Sequence, residues 1–500
     1  NNITGWAKIT IKLIQTAQVS GITNLGSIEF YEQCPPSQSY PPAVVINPTL
    51  PALLFSYENN GIPEVGVVIG NNTQYFPQNN PNSTGYYYAF IGAPSNPILF
   101  FENSVLFLID YGYVKTQYVI TDPVYPSIGV YDIETNTFTY TQQLFQSDSI
   151  FDGWIDSQVD YKNQMLYLLA VNTNLFIILL FAVPFSGLPT LLNNLQLPQN
   201  FEEASLVLPN GWSNYNPASE PCTRLYYSIY YNETFYLLFS DTNNNIDLWV
   251  FSLNEITWSS SIPTSSDFCV QTSSGEQCYS NAPSNAQVVG SVTTIQTGYV
   301  FAFAPNYYIN NGSIYFELLA LLFSNNNYLI ISINPDTLSV TTVGTINFYQ
   351  SSLSTYLIFC STAYIAGGLI IIPTTLYNGS TCTYWYIFVY DRNTGETALF
   401  SPPQNALLVI AGEGGYIISL TGSPTNVTIT VYQVVSDSAP VITNVQLQNN
   451  TITGTAMNLV SNTPASGVVV LFQLEAQGGY NFAGEIVATT TTDSNGNFSF

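Results

Sequence analysis

The chain has 500 residues, of which 46% are hydrophobic, 15% aromatic and only 7% charged, whereas about a quarter of the residues of an average soluble protein are charged. Six basic residues are scattered singly among 31 acidic ones, giving a formal net charge of −25, and this excludes the basic patch that nucleic-acid binding requires. The chain contains no histidine, which removes the usual general base and every Ser–His or Cys–His catalytic pair.

Short apolar runs separated by turn residues predict an all-β protein. Residues 9–16, 98–112 and 164–183 are typical, because each of them contains alternating or continuous apolar residues of strand length. Helical periodicity is nearly absent. The longest apolar run, 175–183, ends at Pro184 and falls short of the roughly 18 residues that a membrane-spanning helix needs, so no membrane span is predicted.

One strand–turn–strand unit recurs along the chain. Clear copies lie at 130–139, 250–258, 331–340 and 389–398, and weaker ones at 67–76, 181–190 and 429–438. Seven such hairpins predict a radial repeat of four-stranded sheets. The copies resemble the outer hairpin of kelch-like and surface-layer YVTN-type β-propellers, in which a strand, D-x-x-T and a second strand close each blade. The resemblance implies a β-propeller of about seven blades over residues 1–437, with six or eight blades and a pair of β-sandwiches as alternatives.

The sequence changes character at residue 438, where a Ser/Pro-rich linker is followed by strict alternation of apolar and polar residues. The segments ITGTA (452–456), PASGVVVLF (464–472) and TDSNGNFSF (492–500) resemble the carboxypeptidase-regulatory or transthyretin-like immunoglobulin-like fold. This resemblance implies an immunoglobulin-like β-sandwich over residues 438–500, which could continue beyond the given chain.

The six cysteines have no C-x-x-C spacing, which favours disulfides over a metal site and indicates a compartment outside the cytosol. They are Cys34, Cys222, Cys269, Cys278, Cys360 and Cys382. Cys269 and Cys278 bracket a short polar loop and are expected to pair. Cys360 and Cys382 flank two apolar runs that could be neighbouring strands, which leaves the first two cysteines for each other. Fifteen pairings are possible for six cysteines.

Nine Asn-x-Ser/Thr sequons are compatible with N-glycosylation of the surface, although about this many would arise by chance in so Asn-, Ser- and Thr-rich a chain. They begin at Asn2, Asn71, Asn82, Asn232, Asn311, Asn378, Asn426, Asn449 and Asn497.

Two groups of polar residues are candidates for catalysis or metal binding. Asp152, Asp156 and Asp160 are the densest acids, and they could supply the carboxylate pair of a glycoside hydrolase, but an acid run on a strand surface is the favoured interpretation. Residues 241–247 and 493–497 have alternating oxygen ligands, as calcium loops do, but they lack the glycine and glutamate of an EF-hand. Both are therefore predicted to be hairpin turns, and no cofactor or metal is predicted.

Clusters of tyrosine are the strongest indication of a contact surface, because each ring offers a flat apolar face with a polar tip that can stack on a sugar or line a protein interface. Most of the 37 tyrosines are expected to fill the spaces between sheets. The candidate binding residues are Tyr86, Tyr87, Tyr88, Tyr226, Tyr227, Tyr230 and Tyr231.

Few titrating groups and no buried histidine also predict a protein that loses little stability in acid. With all 31 acids protonated, only the charges of the six basic residues would remain, so the formal charge would move from −25 to +6 and self-repulsion would stay mild. Composition and architecture together resemble, in style, the secreted or surface proteins of thermoacidophilic archaea or the host-attachment tail proteins of their spindle-shaped viruses.

These observations predict an extracellular binding or assembly protein of a cell surface or virion surface, not an enzyme. Its expected partners are cell-surface glycans or glycoproteins and further copies of itself in a homo-oligomer or larger assembly. The alternative is a secreted glycan hydrolase or lyase on a propeller scaffold.

Overall fold

The computed structural model shows an all-β protein. It describes residues 9–19, 43–47, 50–59, 62–69, 72–77, 86–90, 97–101, 103–115, 119–132, 134–135, 137–140, 153–172, 177–207, 226–241, 243, 245–261, 265–272, 275–310, 313–324, 327–346, 356–358, 364–366, 369–377, 382–392, 394–400, 406–412, 416–423, 426–436, 440–474 and 485–500.

Between residues 9 and 436 the described strands form seven antiparallel sheets of four or five strands each, numbered along the chain, and one separate two-stranded hairpin. The first strand is β1 (Ile9–Val19). Sheet 1 comprises β2 (Ala43–Asn47), β3 (Leu50–Asn59), β4 (Ile62–Ile69) and β5 (Asn72–Pro77). Sheet 2 comprises β6 (Tyr86–Phe90), β7 (Pro97–Phe101), β8 (Ser104–Lys115), β9 (Val119–Asp132) and β10 (Thr137–Tyr140). Sheet 3 comprises β11 (Gly153–Asp160), β12 (Met165–Asn172), β13 (Ile177–Pro184) and β14 (Glu202–Val207).

The next three sheets follow the same plan. Sheet 4 comprises β15 (Tyr226–Tyr231), β16 (Thr234–Ser240), β17 (Asn245–Ser252) and, after the inserted hairpin of β18 (Ser265–Thr272) and β19 (Gly275–Pro283), β20 (Ser291–Thr297). Sheet 5 comprises β21 (Tyr299–Asn310), β22 (Ser313–Ser324), β23 (Asn327–Ile333) and β24 (Val340–Ile346). Sheet 6 comprises β25 (Tyr356–Ile358), β26 (Tyr364–Ala366), β27 (Leu369–Tyr377), β28 (Cys382–Asp391) and β29 (Thr397–Phe400).

Sheet 7 joins the two ends of this segment. It contains β30 (Ala406–Gly412), β31 (Tyr416–Ser423) and β32 (Asn426–Ser436), and its fourth strand is β1. Strand β1 runs antiparallel to β32 from the pair Ile9–Ser436 to the pair Val19–Val427. The first described strand of the chain therefore completes the last sheet before residue 437.

Each sheet in the middle of this segment packs on the sheets before and after it. In β13, Ile177, Leu179 and Phe181 lie in a core shared with sheet 2, whereas Ile178 and Leu180 lie in a core shared with sheet 4. Further cores join sheet 4 to sheet 5 and sheet 5 to sheet 6. Successive side chains of a strand point to opposite faces, so burial of both faces requires a continuous apolar run, as the sequence 175–183 has.

Helices are short in the described part of the chain. A 3-10 turn (Phe185–Gly187) leads into α1 (Leu188–Asn194), and a second 3-10 turn covers Leu253–Glu255. Helix α1 ends where Leu195 adopts a φ of 53°. None of the described helices has the length and apolar character needed to cross a membrane.

Four of the seven hairpins predicted from the sequence are confirmed, at 67–76, 130–139, 331–340 and 389–398. The other three are wrong. The segment 181–190 enters the 3-10 turn and α1, and 250–258 leads into a 3-10 turn and the inserted β18–β19 hairpin before β20 is reached. The segment 429–438 contains the end of β32, which pairs with β1 instead of turning back.

The repeated D-x-x-T or N-x-x-T motif has a physical cause in these hairpins. A side-chain oxygen at the end of the strand accepts the backbone N–H of the threonine three residues later, and this fixes the turn. The pairs are Asp132–Thr135 at 2.8 Å, Asn334–Thr337 at 3.0 Å and Asp391–Thr394 at 3.3 Å. The hydrogen bond from the backbone of Thr135 is the main cause that lowers the pKa of Asp132.

Residues 441–500 form two further antiparallel sheets. One contains β33 (Val441–Gln448), β34 (Thr451–Asn458), β35 (Thr463–Pro464) and β38 (Asn497–Ser499), and the other contains β36 (Val469–Leu474) and β37 (Glu485–Thr491). None of the described sheets combines strands from before and after residue 437. The buried apolar residues in this part include Ala456, Val470 and Phe498.

The predicted disulfide between Cys269 and Cys278 is present and joins β18 to β19. A two-stranded hairpin without further sheet partners is marginally stable in water, so this covalent bond stabilises the inserted hairpin. Cys34, Cys222 and Cys360 lie outside the described residues, as does the side chain of Cys382. The other two pairings stay predictions.

Three of the nine sequons lie where their side chains are described. Asn232 and Asn449 are exposed, each at the first position of a tight hairpin turn with positive φ values. The Asn497 side chain is engaged, since its Nδ2 donates to Asp493 and its Oδ1 accepts from Thr455. Asn426 begins β32, and the remaining five, Asn2, Asn71, Asn82, Asn311 and Asn378, lie outside the described residues.

Candidate functional site

The predicted tyrosine residues occupy different environments. Tyr86, Tyr87 and Tyr88 lie on β6 and Tyr226 lies on β15, with side chains outside the described part. Tyr227 is only 4% exposed and belongs to the core between sheets 4 and 5. Tyr227 therefore contributes to packing.

Tyr230 and Tyr231 point to opposite sides of β15. The Tyr230 hydroxyl donates to Asp160 Oδ2 at 2.7 Å, and burial is the main cause that raises the pKa of Tyr230. Burial likewise raises the pKa of its neighbour Tyr167 to about 12. Tyr231 is half-buried and stacks on Phe316 of sheet 5, with 3.8 Å between ring centroids.

The acid run predicted on a strand surface is wrong for its two described members, Asp156 and Asp160, because both are buried between two sheets. Asp156 and Asp160 lie on β11 and face β15 of the next sheet, where Asp156 Oδ2 accepts the Ser228 hydroxyl at 2.8 Å. Gln158, between them, donates to the Ser228 carbonyl at 3.0 Å. Asp152 lies outside the described residues. Asp156 and Asp160 are buried and hydrogen-bonded, so they contribute to the contact between sheets 3 and 4.

The calcium-like segment 241–247 forms a hairpin turn between β16 and β17, as predicted. Asp241 Oδ1 accepts the backbone N–H of Asn243 and of Asn245, both at 2.7 Å. Asp493 accepts from Asn495 and Asn497 in the same way, at 2.8 Å each. The carboxylates are thus used by the turns themselves.

A two-stranded aromatic ribbon lies at one end of sheet 5. Strands β21 and β22 remain paired up to Asn310 and Ser313, whereas β23 pairs with β22 only from Leu318 onwards. The paired residues 306–310 and 313–317 therefore extend beyond the rest of the sheet. We call this segment the aromatic ribbon.

The aromatic ribbon carries ring pairs on both faces. Tyr307 lies opposite Phe316 and Tyr308 lies opposite Tyr315 in the strand register. The first pair, 5.0 Å between centroids, contacts Tyr231 of sheet 4 through Phe316. The second pair is stacked at 5.3 Å, and Tyr315 is 45% exposed. This exposed ring can receive the apolar face of a sugar.

An ion pair supports the second face of the aromatic ribbon. Arg392, just after β28 of sheet 6, places its guanidinium 4.9 Å from the centre of the Tyr308 ring. Its Nε lies 3.4 Å from Oε1 of Glu317, whose side chain is only 3% exposed. The loops that join first to second and third to fourth strands lie at the same end of an antiparallel sheet, so Tyr231, the ribbon and Arg392 share one end of sheets 4 to 6.

The aromatic ribbon was missed by the sequence analysis. Its signal is present in NYYINNGSIYF (306–316), where two aromatic pairs flank an Asn-Gly turn at equal distances, which is a strong hairpin pattern. The pairing with Arg392 could not be found from sequence, because 75 residues separate it from Glu317.

A buried carboxylate elsewhere, Glu203 on β14, provides a test of acid stability. It is 0% exposed and accepts from Ser205 Oγ and Asn285 Nδ2, both at 2.7 Å. Burial is the main cause that raises its pKa above the ordinary 4.5. Because the folded pKa is raised, the contribution of this group to stability is fully present below about the ordinary value and is lost as pH rises through the folded pKa.

We therefore expect Glu203→Gln to raise the free energy of unfolding at pH 7 and to flatten its fall between pH 4 and pH 7. The matched control is Glu202→Gln, whose exposed side chain should give a pH profile like that of the parent. Chemical denaturation across this pH range measures both. A Glu203→Gln profile as steep as the parent's would show that burial of this carboxylate has no influence on acid stability.

No family model matches this chain, and no curated protein matches it. Among the solved structures similar to this chain, two are named as β-propellers and one is named as a lyase. The Dos1 propeller is 10% identical, with a TM-score of 0.39 over 83% of this chain and 93% of its own. The β-propeller domain of the Trilobed protease from Pyrococcus furiosus is 6% identical, with a TM-score of 0.28 over 71% and 86%. Oligogalacturonate lyase from Vibrio parahaemolyticus is 10% identical, with a TM-score of 0.37 over 86% and 100%.

Proposed function

We propose that this protein is an extracellular binding protein that holds sugars of glycosylated cell surfaces on its aromatic ribbon and does not cleave them. The observation that supports this proposal most directly is the stacked Tyr308–Tyr315 pair. Tyr315 is 45% exposed and lies on a segment that extends beyond its sheet. A sugar ring stacks on such a face, and the phenol hydroxyl provides a hydrogen bond at its edge.

The environment of four buried acids favours binding over catalysis. Glycoside hydrolysis needs two carboxyl groups that flank the substrate. Asp156, Asp160, Glu203 and Glu317 are all buried and bonded to neighbouring protein groups, which leaves their carboxylates no open face toward a sugar.

We further propose that residues 1–437 form a closed seven-bladed propeller, with each sheet as one blade, and that residues 438–500 form an immunoglobulin-like sandwich. Serial packing of neighbouring sheets and the shared sheet of β1 and β32 support the ring. A component of a cell surface or virion in acidic surroundings, as in thermoacidophilic archaea or their spindle-shaped viruses, agrees with the composition. Higher assembly and the Tyr86–Tyr88 contact surface stay part of this proposal.

The test compares Tyr315→Ala with Tyr315→Phe on a panel of immobilised glycans. We expect the parent to bind at least one glycan, Tyr315→Ala to weaken this binding by roughly tenfold, in line with about 1–2 kcal/mol for a lost ring contact, and Tyr315→Phe to keep most of it. Thermal unfolding of all three verifies the fold. Equal binding by Tyr315→Ala and the parent would show that the aromatic ribbon is not the binding site.

A further inference from the structure

We infer that the sugar held at the Tyr308–Tyr315 pair is neutral, and that the buried carboxylate of Glu317 sets this selectivity by cancelling the charge of Arg392. The inference rests on the proposed binding function and specifies the class of its ligand. It follows from how the one described cation beside the aromatic ribbon is paired.

Glu317 is fixed in place by three neighbours. Asn306 Nδ2 donates to its Oε1 at 2.9 Å, the Ser332 hydroxyl donates to its Oε2 at 2.5 Å, and Arg392 contacts both oxygens at 3.4 and 3.5 Å. These donors hold the carboxylate in one orientation toward Arg392. On its inner side Arg392 is therefore paired with the Glu317 carboxylate.

The outer side of Arg392 remains accessible beside the stacked rings. Its side chain is 22% exposed, and its position over Tyr308 places it next to the sugar-stacking surface. The guanidinium has five N–H donors, more than Glu317 uses. These donors can bind hydroxyl or ring oxygens of a neutral sugar without adding net charge to the site.

A carboxylated or sulfated sugar would experience a negative electrostatic potential at this end of the protein. Apart from Arg392, the described charged side chains of sheets 4 to 6 and their turns are acidic, and Glu233 and Asp336 are exposed at the same end as the aromatic ribbon. The whole chain carries a formal charge of −25. An anionic sugar would therefore be repelled by this end of the protein, while Arg392, already paired, offers it little compensation.

The test is the variant Glu317→Gln, which keeps the size of the side chain and leaves the charge of Arg392 uncancelled. The probes are glucose and galactose tetrasaccharides and their counterparts that end in glucuronic or galacturonic acid, measured at pH 7 in low salt. We expect the parent to prefer the neutral probe, and Glu317→Gln to raise the ratio of acidic to neutral affinity about tenfold, an effect that 1 M salt screens.

Two further variants keep the test decisive. Glu233→Gln removes an exposed acid in the next sheet and should change the ratio by less than about twofold. Arg392→Gln, which removes the cation, should leave the acidic probe bound no better than in the parent, even if Glu317→Gln fails to fold. A parent that binds acidic and neutral probes equally would overturn the neutral-sugar inference and leave the binding function intact. Absence of binding to every glycan would overturn both.

Discussion

Deletion of residues 1–19, which removes β1, is expected to destabilise the segment before residue 437 strongly. Strand β32 would keep β31 but lose β1 along the register from Val427 to Ser436. The N–H and C=O groups of β32 that face β1 would then form an exposed edge of the kind that promotes aggregation. We expect a loss of soluble protein or a fall of more than about 10 °C in the thermal midpoint, since several kcal/mol are lost and 1 kcal/mol shifts the midpoint by about 2–4 °C in a large domain.

The control is a deletion of residues 1–8, which leaves β1 complete. It should retain the thermal midpoint of the parent in differential scanning calorimetry. If the longer deletion retained it as well, the pairing of β1 with β32 would be irrelevant to the fold, and the proposal of a closed ring would fail.

Replacement of Trp249 by alanine is expected to lower the free energy of unfolding by about 3–5 kcal/mol, the usual cost of removing a large buried aromatic side chain. Trp249 is fully buried between sheets 3 and 4. Its Nε1 donates to the Val289 carbonyl at 2.9 Å, and its ring lies 4.7 Å from that of Phe251. The substitution removes these contacts together and leaves a cavity.

The matched control is Leu447→Ala on β33, because Leu447 is 72% exposed. Substitutions at such exposed positions change stability by about 0.5 kcal/mol or less. Urea titration of both variants gives the comparison. A Trp249→Ala protein as stable as the control would contradict the packing of sheet 3 against sheet 4.

The sequence was informative about strands and turns because both follow local rules. Residues 177–183 are apolar at every position because alternate side chains enter two different cores. The turn at 130–139 could be predicted because Asp132 caps its own turn. The wrong hairpin predictions depended on contacts with parts of the chain outside the predicted segment. The segment 250–258 looks like a turn between neighbouring strands, but an inserted hairpin intervenes before β20.

The site depended on information that no single segment contains. Tyr227 and Tyr231 lie in the same tyrosine-rich strand, β15. Tyr227 is nevertheless buried in a core, whereas Tyr231 stacks on Phe316 of the next sheet. Whether a tyrosine fills a core or faces solvent depends on where neighbouring strands end, as β23 does below the aromatic ribbon. For the same reason Tyr315 could not be distinguished among the 37 tyrosines.

The central claim is that the protein binds glycans without cleaving them. Its most direct test is a measurement of the molecular masses of glycans before and after they contact the protein. The immobilised parent protein and Tyr315→Ala are incubated with a panel of cell-surface polysaccharides and oligosaccharides at pH 3 and pH 7, and bound and unbound glycans are analysed by mass spectrometry. We predict that the parent retains a subset of glycans with unchanged masses and that Tyr315→Ala retains much less of them. Shortened or unsaturated products that appear with the parent protein would contradict the account and establish a glycan hydrolase or lyase.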